Sequence, residues 1–179
     1  MCQSYSYAFN ILAYESGLES VMVVGTLNNG GHAWNAVNLN KKWYMVDPTN
    51  NAVTSNLPYW ICNASSDFLA DVNFKLDDRF VDGGNENIIP YINIDSSQDW
   101  YYINGLYAKT PKECANIWFK NKDANEILVI KHPIKTESEI NNFIIEFKEE
   151  VYRLGVTNEE LGKYGMQTSG GIVIIKKIR

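Results

Sequence analysis

The segment that most restricts the possible folds is residues 32–47, HAWNAVNLNKKWYMVD. Apolar residues flank a short polar stretch, Asn40-Lys41-Lys42, on both sides, which is typical of two antiparallel strands joined by a tight turn. We therefore predict strands over residues 32–39 and 43–47. One of the chain's two histidines begins this segment, and an aspartate ends it.

The length of the turn determines which residues of this hairpin meet. With a two-residue turn at 40–41, Trp34 faces Asp47. Because side chains alternate along a strand, His32, Trp34, Met45 and Asp47 then point to one face. His32 and Asp47 become diagonal neighbours about 7–8 Å apart, within reach of a hydrogen bond. A three-residue turn would place Asp47 on the opposite face.

A histidine oriented by a carboxylate supplies two of the three groups of a catalytic triad, namely the base and the residue that orients it. The nucleophile is the third. We predict Cys2 as the nucleophile, because it begins a helix predicted over residues 3–16. A helix N-terminus and a nearby imidazolium both lower the pKa of a thiol. Cys62 and Cys114 lie in or beside apolar sequence and lack such a setting.

Each of these residues also has a simpler interpretation. Cys2 could be an incidental thiol at a frayed terminus, or an N-terminal nucleophile if Met1 were removed. His32 could be a hydrogen-bonded histidine at a strand end. Asp47 could form an Asx turn before Pro48, which is compatible with orienting His32.

The rest of the chain divides into two parts. The β-branched run at 21–27 predicts a buried strand, and residues 51–60 and 77–90 are rich in turn formers with little periodicity. A composition break at 93–99 predicts a domain boundary after residue 97. Beyond it we predict the order β-β-α-β-α-β. Its elements are two strands around Asn104-Gly105, a helix to about Lys120, a strand at 126–132, a helix at 137–153 and a strand at 170–178.

Composition excludes several classes of protein. The 179 residues, 45% of them hydrophobic, are sufficient for a sizeable core. The net charge of −5 leaves no basic stripe for nucleic acid. No apolar run approaches the ~18 residues of a membrane span. The three cysteines are too scattered for a disulfide framework or a metal site, so we expect no metal.

Two stretches, CQSYSYAFNILAYESGLESVMVVG and HAWNAVNLNKKWYMVDPT, resemble the transglutaminase-like superfamily of papain-related cysteine enzymes. The motifs are Cys-Gln-x-x-(Ser/Ala), His-Ala-Trp-Asn and Trp-x-x-Val-Asp-(Pro/Thr), here in order over residues 2–50. The resemblance implies Cys2 as nucleophile, His32 as general base and acid, and Asp47 as the residue that orients His32.

The resemblance also implies residues around the substrate. Trp34 and Asn35 are motif residues expected to shape the site, and Gly30-Gly31 is expected to form a mobile loop before the histidine. Trp34, Asn35 and Gly31 are accordingly predicted to bind substrate.

The fold implied by the resemblance is α+β. It is a papain-like, transglutaminase-type core over 1–97, with the cysteine helix packed on an antiparallel sheet, followed by a small α+β domain over 98–179 whose role is unassigned. The implied function is thiol-dependent acyl transfer on peptide or protein amides, without metal or organic cofactor. Hydrolysis is the commoner activity among microbial sequences of this kind. The alternatives are protein cross-linking and a non-catalytic peptide-binding module.

The sequence departs from the family pattern before the cysteine. Family members have helices and usually Gly-Val there, whereas Met1 stands at that place in this chain. We therefore expect an N-terminally shortened core whose oxyanion is stabilised mainly by backbone N–H groups, and weak activity for this stretch alone. The location stays open, and would be extracellular or at the cell surface if a signal peptide lay upstream.

Overall fold

The computed structural model describes residues 1–53, 59–81, 92–132, 136–169 and 171–178. The chain forms two compact units, Met1–Ile103 and Asn104–Arg179. They therefore divide after Ile103, whereas the composition break predicts a boundary after residue 97. Residues 54–58 and 82–90, which are parts of the predicted turn-rich segments at 51–60 and 77–90, lie outside the described residues.

The first unit is built on a five-stranded antiparallel sheet with the order β4-β3-β2-β1-β5. Its strands are β1 (Ser20–Leu27), β2 (Gly30–Leu39), β3 (Lys42–Val46), β4 (Cys62–Ala64) and β5 (Phe74–Val81). Its helices are α1 (Cys2–Glu15), α2 (Pro48–Val53), α3 (Ser66–Asp71) and α4 (Trp100–Ile103).

Both hairpins of this sheet have two-residue turns. The central residues, Asn28-Asn29 and Asn40-Lys41, all have positive φ, between 50° and 66°. Turns of this kind match the twist of the flanking strands, and Asn tolerates the left-handed conformation better than most residues. The predicted register of β2 and β3 is confirmed, since Asn35 pairs with Val46 and Leu39 with Lys42.

The two faces of the sheet bury different side chains. Trp34 and Met45 point to the face that carries the main core, with Val23, Ile61 and Phe74. Asn35 points to the other face, where α1 packs and only Ser6 and Ala13 of that helix are buried. The apolar residues whose spacing predicts α1 are exposed, namely Tyr7, Ile11, Tyr14 and Leu18.

The second unit packs helices on a three-stranded antiparallel sheet with the order β6-β8-β7. Its elements are α5 (Pro111–Asn121), β6 (Ile127–Lys131), α6 (Glu137–Arg153), α7 (Asn158–Leu161), β7 (Tyr164–Ser169) and β8 (Ile172–Lys177). Thr136 and Glu139 form a capping box at the start of α6. Trp118, Phe143 and Phe147 belong to its core.

The α+β class is confirmed, and so are the helix at the N-terminus, the central hairpin and helices α5 and α6. The predicted order β-β-α-β-α-β is wrong at its start and near its end. Trp100–Ile103 is helical because Asp99 caps it, its carboxylate accepting the N–H of Tyr101 at 2.9 Å. Tyr107 makes only an isolated bridge to Lys131. β7 has weak β patterning and was not predicted.

Two further expectations in the first unit are wrong. Gly30-Gly31 is the beginning of β2, paired with Leu27 and Thr26, and not a loop before His32. The segment from Phe74 to Val81 is a strand along β1, although its charged residues hide the alternation in the sequence. In both cases pairing with β1 extends strand structure into residues with weak strand propensity.

Candidate active site

His32 and Asp47 are joined by a hydrogen bond across the central hairpin. His32 Nε2 lies 2.7 Å from Asp47 Oδ2, and the two side chains are 10% and 0% exposed. The contact follows from the two-residue turn, because this register directs both side chains to the same face. A charge-assisted hydrogen bond in so dry a place fixes both the orientation and the tautomer of the imidazole.

Asp47 is held by the start of α2 as well as by the histidine. Its Oδ1 accepts the backbone N–H of Asn50 at 3.0 Å, the bond expected of a helix cap, and Pro48 begins the helix. Its own N–H donates to the carbonyl of Ile61 at 2.9 Å. The turn-forming and orienting interpretations of Asp47 therefore coexist, one on each carboxylate oxygen.

Aromatic rings enclose the imidazole of His32. Trp34 stacks beside it with a centroid distance of 6.0 Å and an interplanar angle of 23°. Phe74 meets it edge-on at 5.7 Å, and Trp34 and Phe74 contact each other at 5.3 Å. The indole N–H of Trp34 points to the sulfur of Met45 at 3.3 Å. The ring is therefore confined by packing as well as by the carboxylate.

Cys2 is half-buried at the first position of α1. The backbone N–H of Ala33, the His32 side chain and the backbone N–H of Gln3 lie close enough to lower the pKa of its thiol. The Ala33 N–H is available because β3 ends at Val46, opposite Asn35, so the ladder does not reach Ala33. Because β3 ends early, β2 can offer a backbone N–H to Cys2 at the start of α1.

These contacts shift the pKa values of the two groups in opposite directions. Burial by itself would raise the pKa of the Cys2 thiol. The N–H of Ala33 and the His32 side chain lower this pKa by more than burial raises it, so the net shift is downward. Burial lowers the pKa of His32, but hydrogen bonding and charge from Asp47 and Cys2 raise it overall. The arrangement favours a thiolate beside an imidazolium.

The other two cysteines have different surroundings. Cys114 is buried in the second unit, and burial raises the pKa of its thiol to about 12. Cys62 is half-buried in β4. None of the three cysteines forms a disulfide bond.

Asn35 joins the cysteine helix to the sheet. Its Nδ2 donates to the carbonyl of Ser6 at 3.1 Å and to Oδ1 of Asn10 at 2.7 Å, and the side chain is 0% exposed. Ser20 at the start of β1 also donates to Asn10. This network fixes α1 along β2, and therefore fixes the distance between Cys2 and His32.

The residues predicted to bind substrate lie in different settings. Trp34 is 1% exposed and Asn35 is 0% exposed, so both act through packing and hydrogen bonding within the protein and present no surface to a ligand. Gly31 is exposed, and a Cβ on it would meet nothing within 4 Å. Substrate binding at Gly31 stays a prediction.

Sequence reasoning did not find four contributors to this site. Asn50 donates to Asp47, and the N–H of Ala33 lies near the Cys2 thiol. Phe74 contacts the imidazole, and Gly25 lies opposite His32. Asn50 had a usable signal, because a capping Asp followed by Pro predicts that the residue three positions on donates its N–H. Phe74 had none, since it comes from a distant strand.

The described residues contain no cluster of three or more side chains that could hold a metal ion, and no helix among them is long and apolar enough to cross a membrane. A cleft of about 400 Å³ lies in the second unit. Its lining is mainly apolar and comes from α6, α7, β7 and Trp118 of α5. It contains none of Cys2, His32 and Asp47.

Comparison with protein-family models and with curated proteins finds no match for this chain. What the structure itself defines is an α+β protein in which a hydrogen-bonded histidine–aspartate pair of the central hairpin lies near a cysteine at the start of α1.

Proposed function

We propose that this protein is a thiol-dependent acyl-transfer enzyme acting on peptide or protein amides, in the manner of the transglutaminase-like enzymes it resembles. The observation that carries the proposal is the placement of His32, which is hydrogen-bonded to Asp47 and lies near the Cys2 thiol at the start of α1. Because Nε2 is bound to the carboxylate, Nδ1 is the nitrogen left to exchange a proton with the thiol and the substrate.

In the proposed first step, Cys2 Sγ attacks the amide carbon and the carbonyl electrons move to oxygen. The start of α1 supplies backbone N–H groups for this oxyanion, because no side chain caps the helix there. His32 gives its Nδ1 proton to the amine nitrogen, the C–N bond breaks, and a thioester forms. Water then attacks the thioester, His32 takes a proton from it, and the C–S bond breaks.

Hydrolysis and cross-linking share the thioester and differ only in the group that attacks it. We rank hydrolysis first, on the resemblance to microbial relatives of this family. The two outcomes separate in one assay, because a primary amine added with the peptide would be incorporated into the product only by a cross-linking enzyme.

The first test of the proposal is alkylation by iodoacetamide at pH 6, with each cysteine followed by mass spectrometry. Cys2 should react well ahead of Cys62 and Cys114, and His32→Ala should abolish this preference. Equal labelling of all three cysteines would refute the thiolate–imidazolium pair and favour the non-catalytic module.

The second test looks for the thioester itself. Incubation with glutamine-containing peptides followed by acid quenching should give a covalent adduct on Cys2, released by hydroxylamine, and no adduct in Cys2→Ala. A reactive Cys2 that forms no adduct with any peptide would leave the thiol chemistry intact but remove amides as its substrates.

A further inference from the structure

Asn50 contacts both partners of the histidine–carboxylate pair. Its Nδ2 lies 2.5 Å from Asp47 Oδ2 and 3.4 Å from His32 Nε2. Asp47 Oδ2 therefore receives two donors, the imidazole at 2.7 Å and the amide of Asn50. The third contact, from the Asn50 backbone to Oδ1, places this side chain at the carboxylate.

The orientation of the Asn50 amide follows from chemistry. A rotated amide would bring its oxygen 2.5 Å from a carboxylate oxygen, and two acceptors at that distance repel each other. With the NH₂ group facing the carboxylate, Asn50 donates to Asp47. Because the carboxylate oxygen only accepts, His32 Nε2, 2.7 Å from it, carries a hydrogen, and the exchangeable proton is confined to Nδ1.

The same geometry weakens the hold of Asp47 on a charged imidazole. A hydrogen bond from Asn50 withdraws negative charge from Oδ2, and the positive end of the amide dipole lies beside the Nε2–H of His32. Both effects make the imidazolium of His32 less stable than it would be if His32 were the only donor to the carboxylate. A less stabilised imidazolium gives up its proton more readily.

We propose that Asn50 is a positioning residue that shares Asp47 Oδ2 with His32 and keeps the imidazolium a competent proton donor. This role deepens the proposed acyl transfer and rests on it, since protonation of the leaving amine is the step that benefits. Asn50 does not touch the reacting atoms.

Within the part of the chain that the structure describes, Cys2 faces His32 from α1 and Asp47 from the start of α2, and both are charged groups that affect it. β1 contributes Gly25 directly opposite, and β5 contributes Phe74. Neither Gly25 nor Phe74 titrates, so a change at Asn50 acts on His32 through Asp47 or through the amide dipole itself.

The test is an NMR titration of the full chain labelled in histidine. Only His32 and His132 give signals, and His132, buried in the second unit against the carbonyl of Ala108, serves as the internal reference. Asn50→Ala should move the titration midpoint of His32 to higher pH and leave that of His132 unchanged. Asn50→Leu, which fills a similar volume without a donor, should do the same if the alanine variant folds poorly.

The matched control is Asn51→Ala in the same helix. Asn51 makes two side-chain hydrogen bonds to the backbone of Ile61 and none to Cys2, His32 or Asp47. Its loss should leave the His32 midpoint in place. An unchanged midpoint in both Asn50 variants, or an equal shift in Asn51→Ala, would overturn the proposal.

Failure of this role is distinguishable from failure of the proposed enzyme. The enzyme proposal requires that Cys2→Ser, which removes the thiolate, lower the His32 midpoint, whatever Asn50 does. If amide turnover is found, Asn50→Ala should also shift the basic limb of the pH profile of kcat/KM upward, with a smaller loss of kcat than His32→Ala. A general loss of structure would reduce activity without moving that limb.

Discussion

Gly25 on β1 lies directly opposite His32 on β2, and the space above it is filled by the ring of Trp34. A Cβ at Gly25 would stand 2.7 Å from that ring and 2.1 Å from the backbone carbonyl of Lys75. Because Gly25 has no side chain, the indole of Trp34 can lie beside His32 and confine its imidazole ring. This close approach requires glycine even though the strand conformation does not.

The first prediction concerns this approach. Gly25→Ala would bring a methyl group against the backbone carbonyl of Lys75 and the ring of Trp34, so strands β1 and β5 must separate and the ring must shift. We expect it to lower the free energy of unfolding by about 1–3 kcal/mol, measured by urea denaturation. We also expect slower alkylation of Cys2, since His32 loses its packing.

The matched control for Gly25 is Gly31→Ala on the neighbouring strand. A Cβ at Gly31 meets nothing within 4 Å, so the same substitution should change stability by no more than about 0.5 kcal/mol. Equal losses in the two variants would mean that strand propensity, and not the approach to Trp34, accounts for the effect.

The second prediction separates the docking of α1 from the histidine pair. Asn35→Ala leaves the Ser6 carbonyl and Asn10 without their buried donor, at a cost of about 1–3 kcal/mol in unfolding free energy. Alkylation of Cys2 should lose its advantage, while His32 keeps its contact with Asp47. Urea denaturation and site-resolved labelling measure the two effects.

Asn38→Ala is the comparison for Asn35, because it removes an exposed amide bond to Glu19 from the same strand. Its cost should stay within about 0.5 kcal/mol, and labelling of Cys2 should not change. A loss of Cys2 reactivity in Asn38→Ala would show that general loosening of β2 is sufficient.

The third prediction separates the two roles of Asp47. Asn at this position still caps α2 well but no longer carries the charge that pairs with His32. Asp47→Asn should therefore reduce alkylation of Cys2 at pH 6, by about tenfold for each unit by which the thiol pKa rises. Asp47→Ala should show the same loss of reactivity and an additional cost of about 1 kcal/mol in stability. Equal stability of the two variants would contradict the capping role.

The fourth prediction is a pH dependence of stability. The pKa of His32 is raised in the folded protein, chiefly by Asp47 against the effect of burial. A raised pKa stabilises the folded state fully below the unfolded value, about 6.5, and the contribution is lost as pH rises through the folded pKa. The stability difference between wild type and Asp47→Asn should therefore be largest near pH 5.5 and shrink on raising the pH. A difference that grows between pH 6 and 8 would contradict a raised pKa.

The hairpin shows what local patterns can predict about this site. Alternation on both sides of Asn40-Lys41 predicts the hairpin, and the two-residue turn observed there is sufficient to bring His32 to Asp47. The reason is that side-chain direction has a strict period of two, so a known turn length leaves one arrangement. Assigning the start of α1 to Cys2 was equally local.

Patterns failed where pairing with distant strands decides the structure. Gly30-Gly31 looks like a loop and residues 77–81 begin a stretch rich in turn formers, yet both belong to strands that pair with β1. Trp100–Ile103 has the residues of a strand, but the cap provided by Asp99 begins a helix. A backbone partner from elsewhere in the chain outweighs propensities that differ by only about 1 kcal/mol.

By itself, the sequence determined the class of fold, the presence of the central hairpin and the choice of His32 and Asp47 as candidate base and orienting group. Tertiary structure alone decided that Cys2 reaches His32, because α1 is held on β2 by the buried amide of Asn35 and not by anything in its own periodicity. It also assigned Trp34 to packing and Asn50 to the carboxylate. Contacts within a hairpin are set by a turn of two residues, whereas contacts between a helix and a sheet depend on burial and hydrogen bonds that no local pattern contains.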